Sequence, residues 1–148
     1  MRRPVSMALA VALLIAAAEA PPSGGPAGKE VEALQGIWVM RAMEVDGAKI
    51  EGPQGGDAVR LFLDGNKYTS KMGPTVIEEG TVRIDPGKRP AWIDLAPATG
   101  GTKGQVLRGI YLLRGDSLVL CLATPPAERP TEFAARQGDN RIVLLFKR

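Results

Sequence analysis

The chain has 148 residues, 45% of them hydrophobic, with 19 Lys and Arg against 16 Asp and Glu and a formal charge of +3. Histidine is absent, which removes Ser-His-Asp and Cys-His catalysis, the HExxH helix and His-based metal cups together. Beyond Arg2-Arg3 the basic residues are scattered singly, apart from the Lys88-Arg89 and Lys147-Arg148 pairs, among only two Trp, two Tyr and three Phe, so the basic stripe and stacking platforms that nucleic-acid binding needs are missing.

In chain order, Arg2 and Arg3 precede an apolar run, Met7–Ala18, with small residues at Ala16, Ala18 and Ala20. This layout predicts a secretory signal peptide over residues 1–20, in a run too short to span a bilayer stably. Cleavage after Ala20 fits the small-x-small pattern but leaves Pro21 just beyond the cut, so cleavage after Ala18 competes. The expected product is exported, periplasmic or extracellular, with no membrane insertion after cleavage. At about 130 residues it amounts to one domain. Residues 21–33 read as a flexible linker: Pro21–Gly28 is proline, glycine and serine without apolar periodicity, and Lys29–Leu34 has helical spacing for a turn or two.

From residue 34 to 148 the periodic segments read as short strands joined by hairpin turns. The strands are expected at Ile37–Val45, Ala58–Leu63, Lys67–Met72, Val76–Ile84, Ala91–Leu95, Val106–Leu113, Ser117–Ala123, Thr131–Arg136 and Arg141–Lys147. The turn letters are Asp64-Gly65-Asn66, Asp85-Pro86-Gly87, Arg114-Gly115-Asp116 and Gly138-Asp139-Asn140. Such a chain has to hide its edges by closing. The expected class is all-β, a small antiparallel up-and-down barrel of 8–9 strands. Parity matters here, because an even number of strands closes antiparallel, whereas nine in simple meander order would need a parallel seam. A long first strand that bends at a bulge would reconcile nine segments with closure. Trp38, just after Gly36, is expected to plug the closed end, with Lys147 or Arg148 brought over its indole by an antiparallel seam. The inward set is Trp38, Met40, Leu61, Leu63, Val82, Ile84, Ile93, Leu95, Leu118, Leu120, Leu122, Leu144 and Phe146.

Chemistry-bearing motifs are few. Cys121 is the single cysteine, so no intramolecular disulfide forms, and its apolar strand reads as that of a buried hydrophobe. One thiol with carboxylates is a poor zinc set, and neither a GxGxxG helix opening nor a GxxxxGK[ST] cradle is present. No metal, no cofactor and no catalytic residue is expected. Glu78, Glu79, Asp94, Glu128 and Glu132 are available for carboxylate catalysis, but Glu78 and Glu79 are strand neighbours on opposite faces. The segment Glu128–Phe133 has two readings. Either Arg129 and Glu132 face a ligand at a barrel mouth, or Pro130 stiffens the approach to a strand while Arg129 and Glu132 pair with each other or with backbone and Phe133 fills the core.

Several stretches together carry a resemblance. They are Leu34-Gln35-Gly36-Ile37-Trp38, Glu44-Val45-Asp46-Gly47, Trp92-Ile93-Asp94-Leu95, Gly109-Ile110-Tyr111, Gly115-Asp116-Ser117-Leu118, Cys121 and Arg129-Pro130-Thr131-Glu132-Phe133. In this order the chain resembles a lipocalin-like domain of unknown function abundant in planctomycete bacteria, often behind a signal peptide. The resemblance implies an exported lipocalin-like barrel and carries over no activity.

Two non-enzymatic functions follow. One is a monomer that binds a small apolar ligand, with Arg129, Glu132 and Tyr111 as candidate ligand residues and Gly36, Trp38, Pro130, Phe133 and Arg148 as structural ones. The other is a structural or interaction module of the cell envelope with a filled barrel. Interior composition separates them, since a cavity favours small residues inside and a packed barrel bulky ones.

Overall fold

The computed structural model describes residues 25–148, so the expected signal segment 1–20 lies outside the described residues. A helix, α1 (Gly25–Leu34), leads into β1 (Gly36–Val45), β2 (Ala48–Glu51), a 3-10 turn at Gly55–Asp57, β3 (Val59–Asp64), β4 (Lys67–Met72), β5 (Thr75–Asp85), β6 (Ala91–Pro97), β7 (Leu107–Arg114), β8 (Ser117–Ala123) and β9 (Arg141–Lys147). Each strand from β3 to β9 is hydrogen-bonded to the next, and β9 returns antiparallel to β1 over Val39↔Lys147 to Val45↔Ile142. The result is a closed eight-stranded antiparallel barrel, β1 and β3–β9, with β2 as an extra strand.

The nine strands are not the nine expected. Among the described residues Thr131–Arg136 has no strand pairing; it belongs to an irregular segment outside the barrel. Ala48–Glu51 is a strand instead, turned back on β1 by Asp46 (φ 52°) and Gly47 (φ 79°). Two successive positive-φ residues make the tight turn whose twist matches a hairpin. β2 and β3 lie on the same edge of β1, at Val45↔Ala48 and Gly36↔Leu63. They are therefore one strand position interrupted by the Gly52–Ala58 excursion, and ring closure stays even. The first strand is bulged between Met40 and Ala42 where it meets β9.

The inward faces alternate as period-2 strands require. Trp38, Met40, Leu61, Leu63, Tyr68, Ile93, Leu95, Leu107, Tyr111, Leu118, Leu120, Leu122 and Phe146 form one buried cluster with Leu34, and Val82, Ile84 and Leu144 pack against it. Gly80 sits where β5 changes partner, from β4 (Thr75–Thr81) to β6 (Gly80–Asp85). A Cβ there would run into the Ala96 carbonyl, so only glycine allows this close crossing.

α1 is longer than a turn or two and takes in Gly25–Gly28 of the segment read as linker. Short helices are held by tertiary packing more than by propensity, and α1 has it. Leu34 is in the core, and the Glu30 carboxylate accepts from the Tyr111 hydroxyl at 3.1 Å. Where α1 meets β1, the Trp38 indole N–H donates to the Leu34 carbonyl at 2.8 Å. Arg148 donates to the carbonyls of Ala33 (2.9 Å) and Gln35 (3.2 Å) and stacks 4.2 Å from the Trp38 ring centroid. A guanidinium on the last carbonyls of a helix is also favoured by the helix dipole. Helix, first strand and last strand thus lock the same end of the barrel.

Candidate functional site

Residues 124–140, between β8 and β9, form a strap across the outer wall. Arg129 Nη1 donates to Asp94 Oδ1 at 2.7 Å and to the Gly109 carbonyl at 2.8 Å. Its guanidinium lies 4.1 Å from the Trp92 ring centroid, and Lys88 Nζ stands 4.6 Å from the same ring. Further along, Pro130 and Ala135 are buried. The Ala135 N–H donates to Glu44 Oε1 (3.0 Å), the Gly47 N–H to the Ala135 carbonyl (2.8 Å) and the Gly138 N–H to Asp46 Oδ1 (3.1 Å). The strap therefore joins β6 and β7 on one side to the β1–β2 hairpin on the other.

Beneath it, Ile110 and Cys121 face outward, one residue out of phase with the inward Tyr111 and Leu120, yet both have zero exposure. The Cys121 thiol lies 3.7 Å from the Ala134 carbonyl, and burial pushes its pKa up. A thiol kept protonated under a cover is inert.

Beside the strap, an apolar groove of about 270 Å³ runs over the outward faces of β8, β9 and β1, lined by Val119, Val143, Leu145, Ala42 and Phe133. Glu44 and Lys49 also border it. At the opposite wall, Glu78 faces the same side of the sheet as its partner Ser70. It accepts from the Tyr68 hydroxyl at 2.7 Å and from Thr102 Oγ1 at 2.9 Å. Burial and this carboxylate hold the Tyr68 phenol well above its ordinary pKa. Burial and Glu30 do the same to Tyr111.

The structure does not bring the three candidate ligand residues together. Tyr111 is inside the barrel and bonded to α1, Arg129 is on the outer wall, and Glu132 is exposed and ion-paired with Arg136 at the next helical-type spacing. Arg129 and Glu132 do not pair with each other; each has its own partner. Phe133 does not fill the core, since Pro130 leads into a strap and carries it to the outer groove. Pro130 itself is among the most buried side chains. Gly36 has φ 117°, a conformation open to glycine and strained for other residues. Among the described residues no three acidic or thiol groups lie close enough to hold a metal. The carboxylates available for catalysis are dispersed, with Asp94 committed to Arg129 and Glu78 to Tyr68 and Thr102.

Sequence reasoning missed the groove and the strap anchors Glu44 and Asp46. The Asp46-Gly47 pair is the available signal, because a turn of that type ends one strand and starts another. Compared with protein-family models, with curated proteins and with solved structures, the chain finds no match. Its own residues have to carry the functional reading.

Proposed function

We propose that this chain is an exported, non-enzymatic interaction module, a filled barrel that works through its outer surface. The observation that supports the filled reading is the interior itself, where Trp38, Tyr68, Tyr111, Ile93, Phe146 and seven leucines of the strands share one buried cluster. Eight strands enclose little more than side chains can fill, and these are among the bulkiest. Export is supported by Arg2-Arg3, the Met7–Ala18 run and the small residues up to Ala20, and the lipocalin-like resemblance points the same way. The lack of histidine and the dispersal of the carboxylates support a function without catalysis.

A second reading is supported by the groove: a small apolar molecule held on the outer wall against Phe133, Val143 and Leu145, not inside the barrel. Native mass spectrometry of the protein from its own envelope tests both. A clean apo mass beginning at Glu19 or Pro21 supports the exported, filled module. A co-purifying small molecule that is lost in a Val143→Arg variant favours the groove. One that survives Val143→Arg and is lost only on unfolding overturns the filled-barrel reading, and recovery of Met1 from the native host overturns export.

A further inference from the structure

Among the described residues β2 pairs with β1 alone, and all four of its residues, Ala48-Lys49-Ile50-Glu51, are exposed. The phase of its backbone is fixed by the ladder. Val45 pairs with Ala48 across the two-residue turn, and the Gly52 N–H donates to the Arg41 carbonyl at 2.9 Å. In an antiparallel pair, alternate residues turn their N–H and C=O to the partner. Ala48, Ile50 and Gly52 therefore turn toward β1, while Lys49 and Glu51 present theirs to the open edge.

We propose that this edge is the docking surface for a second copy of the chain, paired antiparallel about a two-fold axis through Ile50. Three features select that register. Setting Lys49 opposite the second copy's Glu51 makes both residues hydrogen-bonded pairs, so every outward N–H and C=O of the edge finds a partner. It also sets an ammonium beside a carboxylate twice, on the outer face. Ile50, 49% exposed, meets its own copy at the non-bonded position, where side chains come closest. A shift of one residue would put Lys49 outside reach of Glu51 and move the isoleucines to different rows.

Among the described residues neither Lys49 nor Glu51 takes part in an ion pair; the pairs there are Arg129–Asp94, Arg136–Glu132 and Arg148–Asp116. Glu44, opposite Lys49 on β1, already has Oε1 engaged by the Ala135 N–H. An isologous contact of this kind closes on itself and leaves no free edge to propagate. The inference uses the exposed edge, whose Lys49 also borders the groove, and does not depend on what the barrel interior binds. It replaces the monomer expected from the sequence.

The test is sedimentation equilibrium of the mature protein with Lys49→Glu, with Glu51→Lys and with both changes together. Each single change sets like charges opposite one another at both symmetry-related positions. A rise of about tenfold in the dimer dissociation constant is expected for each, from two cross-strand pairs. The double variant swaps the charges and should return to within about threefold of the parent. Because β2 is exposed, all three should melt as monomers near the parent temperature. A parent that stays monomeric up to about 1 mM overturns the proposal, leaving the charges as guards that blunt the edge. So does a dimer indifferent to the single changes, or one that the double variant fails to restore.

Discussion

Trp38 has zero exposure, and it is tied down in three directions by the Leu34 carbonyl, the Arg148 guanidinium and the inward faces of the neighbouring strands. Trp38→Ala removes the indole from the barrel floor and its hydrogen bond to the Leu34 carbonyl at the end of α1. The expected loss is about 3–5 kcal/mol, a large share of the stability of a single domain. A thermal midpoint within a couple of degrees of the parent would show that the floor repacks without it. The cation–π contact accounts for a smaller part, roughly 0.5–2 kcal/mol. Cys121 makes the second prediction at this scale. With its thiol fully covered and its pKa raised by burial, it should resist a thiol reagent in native buffer and react stoichiometrically in denaturant. Rapid native labelling would mean that the cover opens freely.

That cover is the strap, and Arg129 is one of the side chains that hold it to the barrel. Arg129 bonds to Asp94 and Gly109 and lies on Trp92, so it reaches both β6 and β7, two strands that the sheet pairs. Arg129→Ala leaves partly buried acceptors without their donor, at a cost of about 1–3 kcal/mol. Because the strap lies over Cys121, the same change should speed native labelling of that thiol and raise quenching of Trp92, 37% exposed in the parent. Unchanged labelling would show that Pro130 and the Ala135–Glu44 bond hold the strap by themselves. The strap also explains why Thr131–Arg136 is no strand. Its backbone groups bond to Glu44 and the Asp46–Gly47 turn, and a strand there would have to displace β9 from β8 or β1.

For the whole molecule, the two buried phenols give a dependence on pH. Tyr68 and Tyr111 ionise far less readily folded than unfolded, chiefly through burial and then through Glu78 and Glu30. A raised folded pKa means that the folded state keeps its protons where the unfolded chain sheds them. Their stabilisation is complete below the unfolded value of about 10 and is lost as pH rises beyond it. Unfolding by denaturant at about pH 8 and about pH 11 should show a fall that Tyr68→Phe and Tyr111→Phe each reduce. An equal fall in the Phe variants would assign the effect to lysines instead.

Much of this fold is legible in the letters. The alternation in Val59–Leu63 determines which side chains face inward, since a strand has only two faces, whereas the unbroken apolar runs Leu118–Ala123 and Ile142–Phe146 take their inward faces from pairing with their neighbours. The turn residues determine where strands end, and a row of hairpins determines that the sheet must close. The antiparallel seam with Arg148 over Trp38 followed from an even ring. The pairing partners decided the rest. Asp46-Gly47 is a local signal for β2, but that β2 and β3 share one edge of β1 is a long-range choice. Phe133 and Arg129 carry no periodicity that separates an outer strap from a last strand. Cys121 reads as buried in the sequence, yet its cover is a segment about a dozen residues away in the chain, brought there by folding. Local pattern specifies faces and turns because it acts through neighbouring backbone; covers, grooves and free edges depend on what the closed barrel places beside them.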